Sequence, residues 1–146
     1  MRIELTRRGD YAVRAMVTLA RTGVDKMTGG AIAEATGIPA SYVPQVMGDL
    51  VRGGLVTNIR GRTGGYRLGR PANEVTLLAV VEAVEGDGRR RTCVLRGGPC
   101  RGDARGPCDV HDAFYQAQEA VFGSLAGVSL ADLVSRSAET AAGTSR

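Results

Sequence analysis

The 146-residue chain has no apolar run approaching the ~20 residues that span a bilayer, so no transmembrane helix and no membrane partner are expected. Its N-terminus, MRIELTRRGDYAV, carries charges where a secretory signal needs its apolar stretch, which points to a cytoplasmic protein. Cysteine is scarce and odd in number. Three cysteines in a reducing compartment argue against a disulfide framework and for a metal site or reactive thiols. There is one lysine, Lys26, and one histidine, His111. A single histidine leaves no acid–base set, so neither an enzyme nor a small-molecule substrate is expected. No internal repeat is present. What is there, 43% hydrophobic and 23% charged residues, suits a folded domain rather than a disordered chain. The length favours one compact domain, or one small domain with an appended arm.

The basic residues are almost all arginine, and they are unevenly placed. Residues 1–70 hold ten Arg and one Lys against five acids, a net of +6; residues 71–146 hold eight Arg against ten acids, a net of −2. Within that second half, residues 89–105 carry six Arg and one Asp, so positive charge also gathers around the cysteines. Guanidinium groups grip phosphates and read guanine edges, although a GC-rich genome also enriches arginine. The basic N-terminal half is where a nucleic-acid site is expected.

From Thr6 to Arg21 the apolar Tyr11, Ala12, Ala15, Met16 and Leu19 recur at helical spacing and predict a first amphipathic helix. Ala31, Ile32 and Ala35 mark a short second helix, beginning after Thr28 and ending at Gly37. After Ile38-Pro39-Ala40, Ser41 is expected to cap a third helix carrying Val43, Val46, Met47, Leu50 and Val51 and stopping at Gly53-Gly54. That cap puts Pro44 at the third helical position, where a missing N–H has no intrahelical partner to lose. Two β-prone runs, Leu55 to Arg60 and Tyr66 to Gly69, are joined by Gly61-Arg62-Thr63-Gly64-Gly65 in a hairpin pattern. Three helices followed by a hairpin form a winged helix-turn-helix over residues 1–70.

Residues 71–136 read as a second unit. Asn73 to Glu85 is a connecting helix stopped by Gly86. A glycine-rich, cysteine-bearing loop over about 86–109 has no apolar periodicity, and a loop of that length inside a compact domain needs something to order it. From Val110 to about Leu125 the residues Val110, Phe114, Ala117, Val121 and Leu125 are spaced four, three, four and four. So narrow a seam suits a helix packed on another helix, such as its equivalent in a second subunit. Leu130, Leu133 and Val134 suggest one closing turn, and residues 137–146 a disordered, solvated tail. The expected class is mostly α: a winged helix-turn-helix with a two-stranded β wing and a long C-terminal dimerisation helix.

The loop reads CVLRGGPCRGDARGPCDVH, which is Cys-x6-Cys-x7-Cys-x2-His and uses every cysteine together with the one histidine. Four such donors within 19 residues would complete the coordination of zinc or of an iron–sulfur cluster. Gly97, Gly98, Gly102 and Gly106 let the backbone wrap a centre, Pro99 and Pro107 stiffen the approach, and the nearby arginines can offset thiolate charge. The spacing is not the short Cys-x2-Cys knuckle of most structural zinc sites, so redox thiols or bystander cysteines remain alternatives. Asp10, between Arg8 and Arg14, reads as a surface ion pair or as a ligand lent to a neighbouring subunit. In the winged helix, Ser41, Tyr42 and Gln45 fall in the first turn of the third helix, the end a recognition helix presents to base edges. Arg60 and Arg62 flank the wing turn, placed for a minor groove or the phosphate backbone. Thr28, Gly64, Gly65 and Tyr66 complete the set of candidate contacts to double-stranded operator DNA. Each of these alone could be a plain surface residue, and helix-turn-helix patterns also occur in protein-interaction modules.

On LTRRGDYAVRAM, IPASYVPQVMGDLVRGGLV, RGRTGGYRLGRP, CVLRGGPCRGDARGPCDVHDAF and VSLADLV, the sequence resembles the Rrf family of bacterial winged-helix transcriptional regulators over about residues 1–135. The resemblance implies a homodimeric DNA-binding regulator whose two long helices cross, with one iron–sulfur cluster per subunit sensing redox state, nitric oxide or iron–sulfur status. By position, Cys93, Cys100 and Cys108 would be the cysteinyl ligands. His111 matches the histidine that completes a 2Fe-2S cluster in the IscR-like branch, which is the preferred expectation. Asp10 stands where the partner subunit's first helix supplies a carboxylate to a nitric-oxide-sensing 4Fe-4S cluster in the NsrR-like branch. A regulator using the cysteines as thiols or as a zinc site is the cluster-free alternative. The cysteine gaps are slightly longer than in IscR-like proteins, and Pro44 replaces a glutamate that discriminates between their DNA sites.

Overall fold

Thr6 decides where the first helix starts. In the computed structural model, which describes residues 3–99 and 108–143, its Oγ1 accepts from the Gly9 N–H at 3.1 Å and opens α1 (Arg7–Thr22), which Gly23 closes at φ 57°. Thr28 does the same for α2 (Gly29–Thr36) by accepting from the Ala31 N–H, and Gly37, at φ 72°, ends it. α3 (Val43–Arg52) follows, then the antiparallel strands β1 (Val56–Ile59) and β2 (Gly65–Leu68), with Val56 opposite Leu68 and Ile59 opposite Gly65. A 3₁₀ turn over Ala72–Glu74 leads to α4 (Leu77–Glu85), and α5 (His111–Ala126) and α6 (Leu130–Gly143) complete the described elements. Among the described residues, six helices and one two-stranded hairpin make a mostly helical winged-helix fold. No described helix is long and apolar enough to cross a membrane.

Three boundaries differ from expectation. Ser41 does not cap α3: the Tyr42 N–H donates to the Pro39 carbonyl at 2.9 Å, so residues 39–42 form a turn of their own. Tyr42 is the N-cap, without a side-chain bond, and Pro44 sits one position earlier than expected, still within the turn that needs no N–H. The connecting helix does not begin at Asn73. The Leu77 N–H donates to the Val128 carbonyl at 2.8 Å and the Leu130 N–H to the Val75 carbonyl at 2.9 Å, so Val75 and Thr76 are extended against residues 128–130, and Thr76 caps α4 by accepting from Ala79. The closing turn is much longer than expected: α6 runs from Leu130 to Gly143, through the start of the stretch read as a disordered tail. Ser129 and Asp132 open it reciprocally, the Ser129 N–H donating to the Asp132 carboxylate and the Asp132 N–H to Ser129 Oγ. That capping box starts the helix, and in its exposed polar part the Ser135 and Ser137 hydroxyls bond back to the carbonyls of the preceding turn. Residues 144–146 lie outside the described residues.

One apolar core crosses the boundary drawn at residue 70. Ala12, Met16 and Leu19 of α1 pack with Met47 and Leu50 of α3 and with Val80, Val84 and Leu130 from the second half of the chain. α1 is the central helix, in contact with α2, α3, α4 and α6. Two carboxylates fix its N-terminal end. Glu85 Oε1 accepts from the Thr6 N–H and hydroxyl at 2.9 and 2.7 Å, and a Cβ on Gly9 would fall against that oxygen. Asp49 of α3, buried, accepts from Arg8 (Nε at 3.1 Å) and from Arg52.

Asp49 is therefore the polar link between α1 and α3. Asp49→Ala is expected to lower stability by about 2 kcal/mol in urea unfolding, the cost of hydrogen bonds to charged groups. Arg52→Ala alone, at an exposed guanidinium, should cost well under about 1 kcal/mol. Replacing Arg8 and Arg52 together leaves a buried carboxylate without a cation and should cost about 3 kcal/mol or more.

Candidate nucleic-acid interface and metal centre

Two surfaces collect the candidate residues. On the first, Ser41, Tyr42 and Gln45 are exposed; Gln45 lies in the first turn of α3, while Ser41 and Tyr42 lie in the preceding turn and not in the helix as expected. Tyr42 meets Tyr11 edge to face, ring centroids 5.7 Å apart. With Arg7, Arg8 and Gln45 these rings line an open groove along the N-terminal ends of α1 and α3. Thr28 is committed to capping α2.

In the wing, Arg60 and Arg62 are exposed at the hairpin turn. Several arginines elsewhere are paired: Arg8 and Arg52 with Asp49, Arg14 with Asp10, Arg89 and Arg91 with carboxylates near the cysteine loop. Arg60 and Arg62 have no acidic partner among the described residues, so the wing presents unneutralised charge. Sequence reasoning missed what holds the wing in place. Met27 pairs with Tyr66, N–H to carbonyl at 2.8 and 2.7 Å in the two directions, as a one-residue third strand, and Lys26 Nζ donates to the Thr63 carbonyl in the turn. Gly64 and Gly65 serve this close approach: a Cβ on Gly65 would lie 2.6 Å from the Met27 carbonyl oxygen, and one on Gly64 would lie 2.4 Å from that of Ile59.

The second surface lies where the cysteine loop meets the start of α5. Cys93 and Cys108 are both buried, with Sγ atoms 3.5 Å apart and Val110 packed against them. That separation is far beyond a ~2.05 Å disulfide bond. It is close to the ~3.8 Å between two thiolates bound to one tetrahedral metal at ~2.3 Å. The His111 N–H donates to the Cys108 carbonyl at 3.0 Å, which starts α5 beside the pair, and the imidazole stacks on Tyr115 with centroids 6.3 Å apart. Cys93 heads a tight turn in which the Gly97 N–H donates to its carbonyl, Gly97 having φ 75°. The sulfurs and His111 border an open cavity of about 390 Å³ shared with Phe114, Tyr115 and Val121.

Cys100 falls outside the described residues, and among the described residues no group of three metal-ligating side chains is assembled. Asp10 lies on α1 with its carboxylate held by Arg14 Nε at 3.0 Å, the surface ion pair that was one of its two readings. Two of the arginines around the cysteines, Arg89 and Arg91, are placed differently from expectation. Arg89 reaches Glu82 at 3.0 Å and Asp87 at 3.3 Å, and Arg91 reaches Asp87 at 2.9 Å, so both neutralise carboxylates and not thiolates. The Arg89 backbone N–H, with the Arg91 and Arg89 side chains, holds the Asp87 carboxyl below the usual carboxylate range. Burial pulls the Arg89 guanidinium down, but its bonds to Asp87 and Glu82 outweigh that and hold it above its ordinary value.

The family model of Rrf2, described as an iron-dependent transcriptional regulator, matches residues 5–136. The chain is 36% identical over 133 residues to the HTH-type transcriptional regulator IscR of Serratia proteamaculans, covering 90% of this chain and 79% of that protein. It is 34% identical over 132 residues to protein Aau3 of Rhizobium meliloti, covering 90% and 85%. Among solved structures it is similar to CymR, the global cysteine regulator of B. subtilis, with a TM-score of 0.74 and 25% identity over 92% of this chain and 98% of that one. T. potens IscR shares the fold at a TM-score of 0.73 and 24% identity, over 94% and 90%.

The wing's dependence on close backbone approach is directly testable. Gly65→Ala should push β2 off Met27, lower stability by about 1–3 kcal/mol and speed hydrogen exchange at the Tyr66 N–H, whereas Thr63→Ala should leave both nearly unchanged.

Proposed function

The chain belongs to the Rrf2 family of transcriptional regulators, and on that premise we propose that it is an operator-binding homodimer in which Cys93, Cys100, Cys108 and His111 hold one 2Fe-2S cluster per subunit. One observation carries the reading: two buried cysteine sulfurs 3.5 Å apart, with the lone histidine starting the adjoining helix one residue pair away from the second. A bound cluster would supply a centre that redox change or nitric oxide can alter. Everything else is work for the chain's own residues. Cys93 closes the turn over residues 93–98, and Cys108 and His111 begin α5, so ligation would join the loop to that helix. The engagement of Asp10 by Arg14 favours His111 over a carboxylate lent by the partner subunit, the arrangement that would accompany a 4Fe-4S cluster.

α5 supports the dimer. It has no buried residue, and Phe114 and Tyr115 are 44% and 56% exposed, an unusual state for a 16-residue helix that a second copy of α5 would relieve. In a two-fold dimer the two copies of α3 must meet successive major grooves, ~34 Å apart or a multiple of it. The packing of α5 against α4 and the cysteine loop would set that spacing. Ser41, Tyr42 and Gln45 would read or grip the major groove, and the unneutralised Arg60 and Arg62 the adjacent backbone or minor groove. Thr28, Gly64, Gly65 and Tyr66 would shape these surfaces and approach phosphates through their backbone.

Protein purified without oxygen should be brown, with iron and sulfide in equal amounts, and Cys93→Ser or Cys108→Ser should be colourless. Resonance Raman or Mössbauer spectra should change in His111→Ala and not in Asp10→Ala. Colourless wild-type protein carrying stoichiometric zinc would replace the cluster with the zinc alternative. Operator affinity or site preference should differ between cluster-loaded and iron-free protein; equality in both would refute cluster-dependent regulation. Arg60→Ala and Arg62→Ala should each weaken binding to all DNA sequences and reduce the slope of log K against log salt by about one, while Gln45→Ala should cost about 1–3 kcal/mol at one operator position.

A further inference from the structure

Between α4 and Cys93 the chain runs antiparallel to α5, and two residues set its register. Arg89 meets Glu119, Nε to Oε1 at 3.7 Å, and its guanidinium carbon lies 4.3 Å from the centroid of the Phe122 ring. The Arg90 N–H donates to Gln118 Oε1 at 2.6 Å. Three residues later Cys93 meets Cys108, three positions before His111. The lengths are compatible: the four residues from Arg89 to Cys93 can span at most about 13 Å, and the helix from His111 to Glu119 rises about 12 Å.

From this match we infer that Arg89 is the positioning residue that sets where Cys93 stands against Cys108. Its guanidinium, about one-third exposed, joins three parts of the molecule: Glu82 of α4, Asp87 of its own segment, and Glu119 with Phe122 of α5. Its neighbours reach less far. The Arg91 side chain is 84% exposed and pairs with Asp87, and the Arg90 guanidinium turns to the Thr92 and Cys93 carbonyls at 3.2 and 3.4 Å, both within its own segment. Without Arg89 the segment keeps the Arg90 N–H to Gln118 bond as its named hold on α5, and a slip of one residue would move Cys93 by up to about 3.3 Å, roughly the whole distance between the sulfurs. Lysine retains a charge for one carboxylate but loses the planar stack on Phe122 and the fork that serves several partners at once. The inference deepens the proposed function and rests on it for what the sulfurs hold, though not for their juxtaposition.

The test uses the full-length, iron-free, reduced protein equilibrated across a series of glutathione redox buffers, with the Cys93–Cys108 disulfide mapped by mass spectrometry. The two thiols give up two electrons and two protons to oxidised glutathione, which leaves as two molecules of reduced glutathione. The equilibrium reports the effective concentration of one thiol at the other. Arg89→Ala should lower it at least tenfold with the thermal midpoint of the fold unchanged; Arg89→Lys should recover part of the loss, and Arg91→Ala should match wild type. Should Arg89→Ala unfold, Glu119→Ala, at an exposed partner, carries the same expectation in weaker form. An unchanged effective concentration in Arg89→Ala, or an equal loss in Arg91→Ala, overturns the inference. Because no iron enters the assay, a colourless wild-type protein that keeps this Arg89 dependence would refute the cluster and leave the positioning role standing.

Discussion

A buried carboxylate between two helices does what apolar contact cannot. Hydrophobic burial brings α1 and α3 together but is non-directional and tolerates rotation of one helix against the other. Asp49, gripped by Arg8 from α1 and Arg52 from its own helix, removes that freedom. Gln45 stands one turn before Asp49 on the same face of α3, so the direction in which it projects is set by an ion pair beneath it. The surface proposed to read DNA is therefore held from below by charge, and its orientation depends on few bonds.

α4 connects this surface to the cysteines. Near its C-terminal end Glu82 takes Arg89 from the loop, and one turn later Glu85 takes Thr6 at the start of α1. The two contacts leave the same short helix in different directions. The loop and the start of α1, which carries Arg8, are thus tied to the same short helix. This chain of contacts gives the loop a physical route to α3 through packed helices and named ion pairs.

Much of this was legible in the sequence because its causes are local. Thr6, Thr28, Gly23 and Gly37 mark helix ends within a few residues of themselves, and the wing glycines announce a hairpin. The cysteine–histidine spacing announced a candidate centre for the same reason. What escaped depends on partners distant in sequence. Ser41 looked like a cap until Pro39 and Tyr42 closed a turn. Asn73 looked like the start of the connecting helix, which is displaced to Leu77 because Val75 and Thr76 pair with residues more than fifty positions later. Met27 gave no sign of pairing with Tyr66. Arg89 and Arg91 were misread as countercharge to thiolates, since Glu82 and Glu119 can be recognised as the partners of Arg89 only once α4 and α5 lie side by side. The third cysteine, Cys100, was legible as a motif member and lies outside the described residues.

The pairing of residues 75–77 with 128–130 has a topological consequence. Chain leaving Leu77 at the start of α4 must return to the same place at Val128, because Leu77 and Val128 are hydrogen-bonded to each other. Everything between is a closed excursion whose ends are fixed by the core rather than by its own contents. The entropy of closing such a loop grows only as the logarithm of its length, about 0.6 kcal/mol for a doubling. Residues can be added or removed between the cysteines at little cost to the fold below. The spacing of the cysteines is in this sense a free variable, open to change while the helices of the core stay where they are.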